Sequence, residues 1–385
     1  MSRNLLILAL SLFVWGLGEG LFLIFQPLYL QEFGADAPTI GIMLGGVGLA
    51  MAAAQVPAGY LSDRIGARPL MWVAWTVGAI AAGLMALATS LWVFMAGMLL
   101  YSLTAFVSAP MNAYIANIRG KWNLARSATF TMAFYNLGAV AGPFIGGLIG
   151  DRLGLRQVYM IAFGVFIVST LVVFLISKDP AREVTAAHEL PHVHQNRRFL
   201  VLLPFILLTT LSSYLPQSLT ANFLQNERGV AYSQIGILGS VGSFGVVLIA
   251  LTLGHLKPLL GLLIGQAALA LFSLCIWKGD GFGWYVLGYV FIGGFRYLRA
   301  MILASIRPVV APSQVGSAFG VVELVNGLAV FFAANLAGWL YASDPTWIYL
   351  ASLVLIGAAV ALNLGWFQNL IQKAQKQSAR SHLET

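Results

Sequence analysis

The decapeptide GYLSDRIGAR, residues 59–68, lies between two long apolar stretches, residues 39–61 and 70–89. A helix needs about 20 mostly apolar residues to cross the hydrocarbon core of a bilayer, and each stretch is about that long. A short charged turn between two such stretches predicts two membrane-spanning helices that are joined at one membrane surface. Arg64 and Arg68 would lie at that surface, where cations interact favourably with lipid headgroups.

Ten further apolar runs of similar length lie outside this pair, from residues 5–29 to residues 347–367. Together the twelve runs predict an all-α membrane protein with twelve transmembrane helices. The first run continues past Trp15 to Tyr29, which is too long for the apolar region of a signal peptide. We therefore expect it to be the first span.

The composition favours a membrane protein over a soluble domain. Hydrophobic residues make up 59% of the 385 residues and charged residues only 9%, whereas a soluble domain has about 25% charged residues. The net charge of +8 does not indicate nucleic-acid binding, because the basic residues are scattered between the apolar runs. The single cysteine, Cys275, cannot form an internal disulfide.

The longest polar stretch, residues 178–198, divides the runs into six and six. We expect two pseudo-symmetric six-helix halves, residues 1–177 and 199–385, joined by a linker at 178–198. The second half ends in a polar tail. The linker contains His188, His192 and His194, but no cysteine or carboxylate completes a convincing ligand set. We therefore expect no metal site there.

The basic residues predict the orientation in the membrane. If the N-terminus is cytoplasmic, 15 of the 21 lysines and arginines fall in cytoplasmic segments and four in outer loops. The other two, Arg296 and Arg299, lie inside a span. Cytoplasmic loops of membrane proteins are enriched in lysine and arginine. We therefore expect both termini in the cytoplasm, and we expect the cytoplasmic (inner) membrane of a prokaryote.

The decapeptide resembles the loop signature G-x-L-x-D-R-x-G-x-R of the major facilitator superfamily, and it follows the second span as that signature does. The resemblance implies the twelve-helix fold of the family, and it implies that the loop holds the two halves in their outward-facing state. The matching residues are Gly59, Leu61, Asp63, Arg64, Gly66 and Arg68. The equivalent loop of the second half, residues 254–258, keeps a glycine and a lysine but lacks the aspartate, as a diverged duplicate would.

Span 5 resembles a second motif of the family, G-x-x-x-G-P-x-x-G-G, which is typical of its 12-span drug/proton antiporters. Glycines four residues apart let another helix approach closely, and a proline bends its helix. The resemblance implies a pliable, sealing contact between the halves, although packing of small residues explains the motif almost equally well. The matching residues are Gly138, Gly142, Pro143, Gly146 and Gly147.

Span 4 departs from the pattern of the proton-coupled exporters. Many of them carry an arginine there, a few residues before a Gln-Gly pair, whereas this chain has YSLTA at residues 101–105. A proton mechanism that depends on that arginine is therefore in doubt.

Glu19 lies near the middle of span 1, where a charge costs about 2.5–3.5 kcal/mol on insertion scales. Trp15, Phe22 and Gln26 recur with it at helical spacing, so these side chains share one face. We interpret that face as a cavity wall whose carboxylate carries the coupling proton. A structural glutamate that is hydrogen-bonded to a neighbouring helix is the alternative.

Arg296 and Arg299 in span 10 and Glu323 in span 11 should lie at equal depth, roughly 10–15 Å from the cytoplasmic surface at 1.5 Å per residue. We predict that one arginine pairs with Glu323, which is the second candidate for proton coupling. A purely structural bridge explains these residues equally well. The remaining positive charge would be balanced by Glu19 or by an anionic substrate.

Other polar residues at membrane depth complete a moderately polar cavity with aromatic walls, which is the usual character of a small-molecule site. The predicted cavity set is Trp15, Glu19, Phe22, Gln26, Asn112, Tyr135, Asn136, Gln217, Arg296, Arg299 and Asn326.

These observations predict a secondary active transporter that works by alternating access. Our leading hypothesis is proton-coupled export of small amphipathic compounds. The alternative is an importer or uniporter of an organic anion or polar metabolite, which the two arginines favour. The sequence has neither a G-x-x-x-x-G-K-[ST] phosphate loop nor a hydrolase motif. We therefore expect no ATP-driven transport, no enzymatic activity and no cofactor. The expected partners are a small-molecule substrate, protons and the lipid bilayer, and we expect a monomer.

Overall fold

The computed structural model describes residues 2–55, 64–177, 196–311 and 314–367. These residues form helices and no strands, and twelve of the helices are long and apolar enough to cross a membrane. We number them spans 1 to 12. Their bounds are Arg3–Glu32, Ala37–Gln55, Ala67–Leu87, Leu91–Ile118, Leu124–Leu153, Leu155–Val173, Arg197–Arg228, Tyr232–Leu253, Pro258–Lys278, Phe282–Ile306, Val315–Ser343 and Trp347–Gly365.

The twelve predicted runs correspond one to one with these spans, and the differences at the ends have a local cause. Span 5 begins at Leu124, five residues before the predicted run, because the side chain of Asn123 accepts a hydrogen bond from the amide of Arg126 at 2.7 Å. Asn196 caps span 7 in the same way, accepting from the amide of Phe199 at 3.2 Å. Polar caps extend a helix beyond its apolar part, which is the only part that hydropathy detects.

Spans 1, 4, 7 and 10 are interrupted near their middle. Three of the interruptions are short 3₁₀ segments, Leu23–Phe25, Thr104–Val107 and Leu215–Gln217. Pro27, Pro110 and Pro216 lie in or just after these segments, and each removes a backbone donor from the helix. Gly293 separates the two helical parts of span 10. Spans 7 and 10 take the places of spans 1 and 4 in the second half, so the interruptions repeat as in a duplicated unit.

The two halves meet along spans 2 and 11 and along spans 5 and 8. We call the side where span 1 begins the near side and the side where it ends the far side; the predicted orientation makes the near side cytoplasmic. The backbones of the two halves approach closely at these contacts. A Cβ on Gly45 would lie 3.0 Å from the carbonyl oxygen of Phe331, and one on Gly147 would lie 2.9 Å from Cα of Ser233.

Hydrogen bonds between the halves gather on the far side. The amide groups of Asn222 and Asn226 donate to Oε1 of Gln31 at 2.6 and 3.1 Å. The hydroxyl of Tyr232 donates to Oε1 of Glu32 at 2.9 Å. The amide of Ser233 donates to Oδ2 of Asp151 at 3.0 Å. The far side is therefore closed in this conformation.

The span 5 motif divides between two contacts. A Cβ on Gly142 would lie 2.6 Å from Cα of Gly20, and Gly138 and Gly146 pack on span 1 in the same way. Gly147 instead contacts span 8 of the other half, and Pro143 lies against both Gly20 of span 1 and Gly239 of span 8. One motif thus holds two helices of the first half together and also supplies part of the contact between the halves.

Part of the loop signature can be described. Gly66 has a φ of +87°, which favours glycine, and it precedes span 3. The guanidinium of Arg68 lies 4.0 Å from the ring centre of Trp72, and Arg64 is exposed. Gly59, Leu61 and Asp63 lie outside the described residues, as do His188, His192 and His194 of the linker.

Exposed tryptophans mark the far ends of four spans. Trp92 is 73% exposed and Trp339 is 64% exposed, and Trp284 and Trp347 are about half exposed. Tryptophan is enriched at membrane–water interfaces because its ring is apolar and its N–H is polar. These side chains therefore indicate where the far membrane surface meets the protein.

Candidate functional site

A central cavity of about 340 Å³ lies between the halves, lined by residues of spans 1, 2, 5, 7, 8 and 10. Its size falls within the range of small-molecule sites. Apolar side chains such as Leu23, Ile24 and Phe295 form much of the wall. Six residues of the predicted cavity set line it: Glu19, Gln26, Tyr135, Asn136, Gln217 and Arg296.

A second cavity of about 220 Å³ lies beside the first, between spans 2, 7, 10 and 11. It reaches Gln55 and Ile302, which lie near the near-side ends of their spans. Two further residues of the predicted set, Arg299 and Asn326, line it, and Gln26 lines both cavities. The two cavities share Leu23, Gln26, Leu44, Tyr214 and Phe295, so they are continuous along that wall.

Glu19 is held by an aromatic cluster within the first half. The hydroxyl of Tyr101 donates to Oε2 of Glu19 at 3.1 Å. The ring of Trp15 stacks on the ring of Tyr101 with 6.0 Å between centroids, and Phe22 meets that ring edge-on at 5.4 Å. Trp15 and Phe22 are buried in the core of the first half and line neither described cavity. They act on Glu19 indirectly, because they fix the ring of Tyr101.

Tyr135 connects this carboxylate to the second half. Its hydroxyl interacts with Glu19 of span 1 and with Arg296 of span 10. Arg296 also interacts electrostatically with the carboxylate of Glu19. Arg296 is exposed to the cavity. A polar chain of Tyr101, Glu19, Tyr135 and Arg296 therefore runs across the cavity from one half to the other.

Arg299 pairs with Glu323 within the second half. Its Nε donates to Oε1 of Glu323 at 3.3 Å, and its terminal nitrogen forms an ion pair with Oε2. The Arg299 side chain is 38% exposed and that of Glu323 is 13% exposed. The sequence predicted that one arginine of span 10 pairs with Glu323 of span 11 because both lie at the same depth, and the structure forms this pair with Arg299. Arg296 belongs to the central cavity instead.

Asn112 lies apart from the other predicted cavity residues. It is exposed and lines neither of the two cavities. Span 4 is interrupted at Thr104–Val107, and this interruption changes the direction in which the second part of the helix presents its side chains. Asn112 was predicted from its polarity at membrane depth alone, and polarity does not indicate in which direction the second part of the helix presents the side chain.

Tyr101 is a functional candidate that sequence reasoning missed. It begins the segment YSLTA, residues 101–105, which lacks the arginine of many exporters, and it donates a hydrogen bond to Glu19. The departure from the family pattern was itself the signal, since a neutral donor replaces a cationic one. Thr210 of span 7 was also missed. Its hydroxyl donates to Oδ1 of Asn326 in span 11, whereas a threonine inside a helix normally bonds to the backbone of its own helix.

Among the described residues no group of three histidine, cysteine or acidic side chains is arranged to hold a metal ion. The described wall of the central cavity instead carries Glu19, Arg296, tyrosine hydroxyls and the amides of Gln26, Asn136 and Gln217 among apolar side chains.

Comparison with known proteins identifies the class. The family model described as Major Facilitator Superfamily matches residues 8–256, and the chain belongs to this family. It is 24% identical over 377 residues to "Inner membrane transport protein YajR" of Escherichia coli (strain K12), covering 91% of this chain and 82% of that protein. It is 26% identical over 333 residues to "Multidrug resistance protein MdtG" of Proteus mirabilis (strain HI4320), covering 80% of each.

Solved structures give the same fold. The crystal structure of the nucleoside transporter NupG aligns with a TM-score of 0.83 at 17% identity, covering 94% of this chain and 100% of that one. The chain is therefore an integral membrane protein of twelve spans with the fold of this family. It is a transporter rather than an enzyme.

Proposed function

We propose that this protein is a proton-coupled exporter of small amphipathic molecules in the inner membrane of a prokaryote, acting as a monomer. The observation that carries the proposal is Glu19, a carboxylate on the wall of an otherwise largely apolar cavity. A charge inside a membrane is costly and usually functional. The name of the MdtG relative, a multidrug resistance protein, and the inner-membrane relative YajR support the same proposal.

The coupling follows from competition for Glu19. When ionised, Glu19 attracts Arg296 of the other half, and both groups interact with the hydroxyl of Tyr135. A proton on Glu19 removes that attraction and lets the halves separate at this level without exposing a buried anion to the bilayer. An amphipathic substrate with a positive group binds only the ionised form, so protonated Glu19 must release its proton before the substrate can bind. Proton and substrate therefore use the site alternately.

The proposal is tested by transport in proteoliposomes that contain the purified protein. Ethidium, an amphipathic cation, should accumulate against its gradient when a proton gradient of the correct direction is imposed. Glu19→Gln should abolish this accumulation and still permit downhill exchange of ethidium, because a permanently neutral side chain cannot release a proton. Glu227→Gln is the matched control, since Glu227 is exposed on the far side and lies outside both cavities.

Accumulation of ethidium by Glu19→Gln at the normal rate would show that Glu19 is structural. Glu323 would then be the next candidate for the coupling proton, because it lines the second cavity.

The second candidate function is import or facilitated diffusion of an organic anion or polar metabolite. Arg296, exposed in the central cavity, favours it, because an arginine binds carboxylates and phosphates well. An importer or uniporter would equilibrate its substrate at the same final level with or without the proton gradient. Arg296→Gln would then weaken substrate binding more than Glu19→Gln does.

A further inference from the structure

The second cavity contains a polar group that the proposed coupling does not use. Asn326 of span 11 lines this cavity and is only 7% exposed. Within the described parts of the chain, its Nδ2 atom has no hydrogen-bond partner. Buried polar side-chain atoms in native proteins nearly always have a partner. A partner from outside the chain is therefore expected.

The free end of the Asn326 amide is its donor end. The hydroxyl of Thr210 on span 7 donates to Oδ1 of Asn326 at 2.8 Å, so the carbonyl end of the amide already has a partner. Nδ2 then carries two N–H donors. The missing partner must accept a hydrogen bond, as a carbonyl oxygen does.

The rest of the cavity wall selects a neutral partner. Arg299 and Glu323 are the only charged residues among the described residues that line it. They form an ion pair with two hydrogen bonds, so their opposite charges compensate each other. Much of the remaining wall is apolar. The apolar side chains include Val47, Met51, Ala52, Leu298, Ile302 and Val330. The central cavity differs, since its charged residues Glu19 and Arg296 are not ion-paired with each other.

We propose that this second cavity is a binding subsite for a neutral, apolar group with one hydrogen-bond acceptor, such as a ketone, ester or tertiary amide, and that the acceptor binds Nδ2 of Asn326. The shared wall lets one molecule place a charged end in the central cavity and a carbonyl-bearing apolar end here. The role of the subsite in transport rests on the function proposed above. Binding at the subsite does not.

Benzophenone is a suitable probe, because it is neutral and apolar, carries one carbonyl, and reacts with nearby C–H bonds when irradiated. The full-length protein in lipid nanodiscs is irradiated with benzophenone, and the labelled residues are mapped by mass spectrometry. We expect saturable labelling at Met51, which lines the cavity. 1,3-Diphenylacetone should compete about tenfold better than 1,3-diphenylpropane, in which CH₂ replaces the carbonyl, since one hydrogen bond is worth about that factor.

Variants test the role of Asn326 directly. Asn326→Leu should raise the benzophenone concentration for half-maximal labelling of Met51 about tenfold. Thr210→Val keeps the Nδ2 donor and should change that concentration less than threefold. Asn335→Leu is the control on the same helix, because its Nδ2 already donates to the carbonyl oxygen of Phe331 at 2.7 Å; it should leave labelling unchanged.

Three results would overturn the subsite. They are no saturable labelling at Met51, equal competition by 1,3-diphenylacetone and 1,3-diphenylpropane, or unchanged labelling in Asn326→Leu. If Asn326→Leu does not fold, the competition on the natural protein decides the question. The assay needs no proton gradient. Its outcome is therefore independent of whether ethidium is exported.

Discussion

Tyr101 and its neighbours show how a single residue type changes the chemistry of the site. An arginine at this position would form a permanent ion pair with Glu19, whereas a tyrosine hydroxyl donates one neutral hydrogen bond at 3.1 Å. The ring is held between Trp15 and Phe22, so the hydroxyl is directed at the carboxylate without rotamer freedom. In the coupling proposed above, Glu19 would therefore exchange its proton without breaking an ion pair inside its own half.

Removing that hydroxyl should impair coupling more than stability. We expect Tyr101→Phe to lower the rate of gradient-driven ethidium accumulation about three- to tenfold, which corresponds to the loss of one hydrogen bond. Initial rates in proteoliposomes measure the effect. Tyr159→Phe is the matched control, because Tyr159 is also buried and its hydroxyl has no partner among the described residues. Equal loss in both variants would contradict a positioning role for Tyr101.

The pair of Arg299 and Glu323 should appear as a coupling energy. We expect Glu323→Gln to destabilise the protein by about 1–3 kcal/mol, since it leaves Arg299 without its ionic partner; the exposure of Arg299 keeps the value modest. Arg299→Gln in the same chain should restore part of the loss, measured by thermal unfolding in detergent. Arg296→Gln with Glu323→Gln should be additive within about 0.5 kcal/mol. Additivity at Arg299 would disprove the pair.

At the scale of helices, the interruptions of spans 1, 4, 7 and 10 place the site. A straight helix keeps all its backbone hydrogen bonds and packs as a rigid rod. A break near the middle lets the two parts take different directions. Residues on both sides of the break then line the central cavity, Leu23 and Pro27 in span 1 and Tyr214 and Ser218 in span 7. The prolines that cause the breaks are visible in the sequence, yet their effect on side-chain direction is not.

Substitutions at two glycines of span 5 should have different effects, one on the exchange between conformations and the other on the stability of the fold. Gly147→Val places a side chain against Ser233 of the other half, so it should disfavour the far-side-closed state by about 1–3 kcal/mol. Ala221→Cys, in a chain with Cys275→Ala, reports far-side opening, because Ala221 is buried and lines the central cavity. An impermeant maleimide added on the far side of the membrane should label it at least fivefold faster in Gly147→Val.

Gly142→Val is the control for that comparison. Its side chain would meet Gly20 inside the first half, so it should lower the unfolding temperature and leave the maleimide rate unchanged. Similar labelling rates in the two variants would contradict the division of the motif between the two contacts.

At the scale of the whole molecule, the sequence predicted the twelve spans and the fold, because membrane length and apolar runs are local properties. Glu19 and Arg296 were also recognisable, since charges at membrane depth are rare, and Tyr135 was predicted as a polar residue at the same depth. The placement of Trp15, Phe22 and Asn112 was not, because it depends on how spans 4 and 6 pack against span 1. The far-side contacts of Gln31 with Asn222 and Asn226 join residues nearly 200 positions apart, and nothing in either segment indicates its partner.

Those far-side contacts lead to a prediction about the transport cycle. Alternating access requires the two sides to open in turn, and here the far side is closed by hydrogen bonds while the second cavity extends towards the near side. Joining Gln31→Cys to Asn226→Cys in the Cys275→Ala background should therefore trap the far-side-closed state, because Nε2 of Gln31 lies 3.2 Å from Oδ1 of Asn226. A bifunctional thiol cross-linker should stop ethidium transport almost completely. A cleavable version of the linker should restore transport on reduction, and either single cysteine treated in the same way should retain it. Full transport by the cross-linked double variant would mean that the far side need not open.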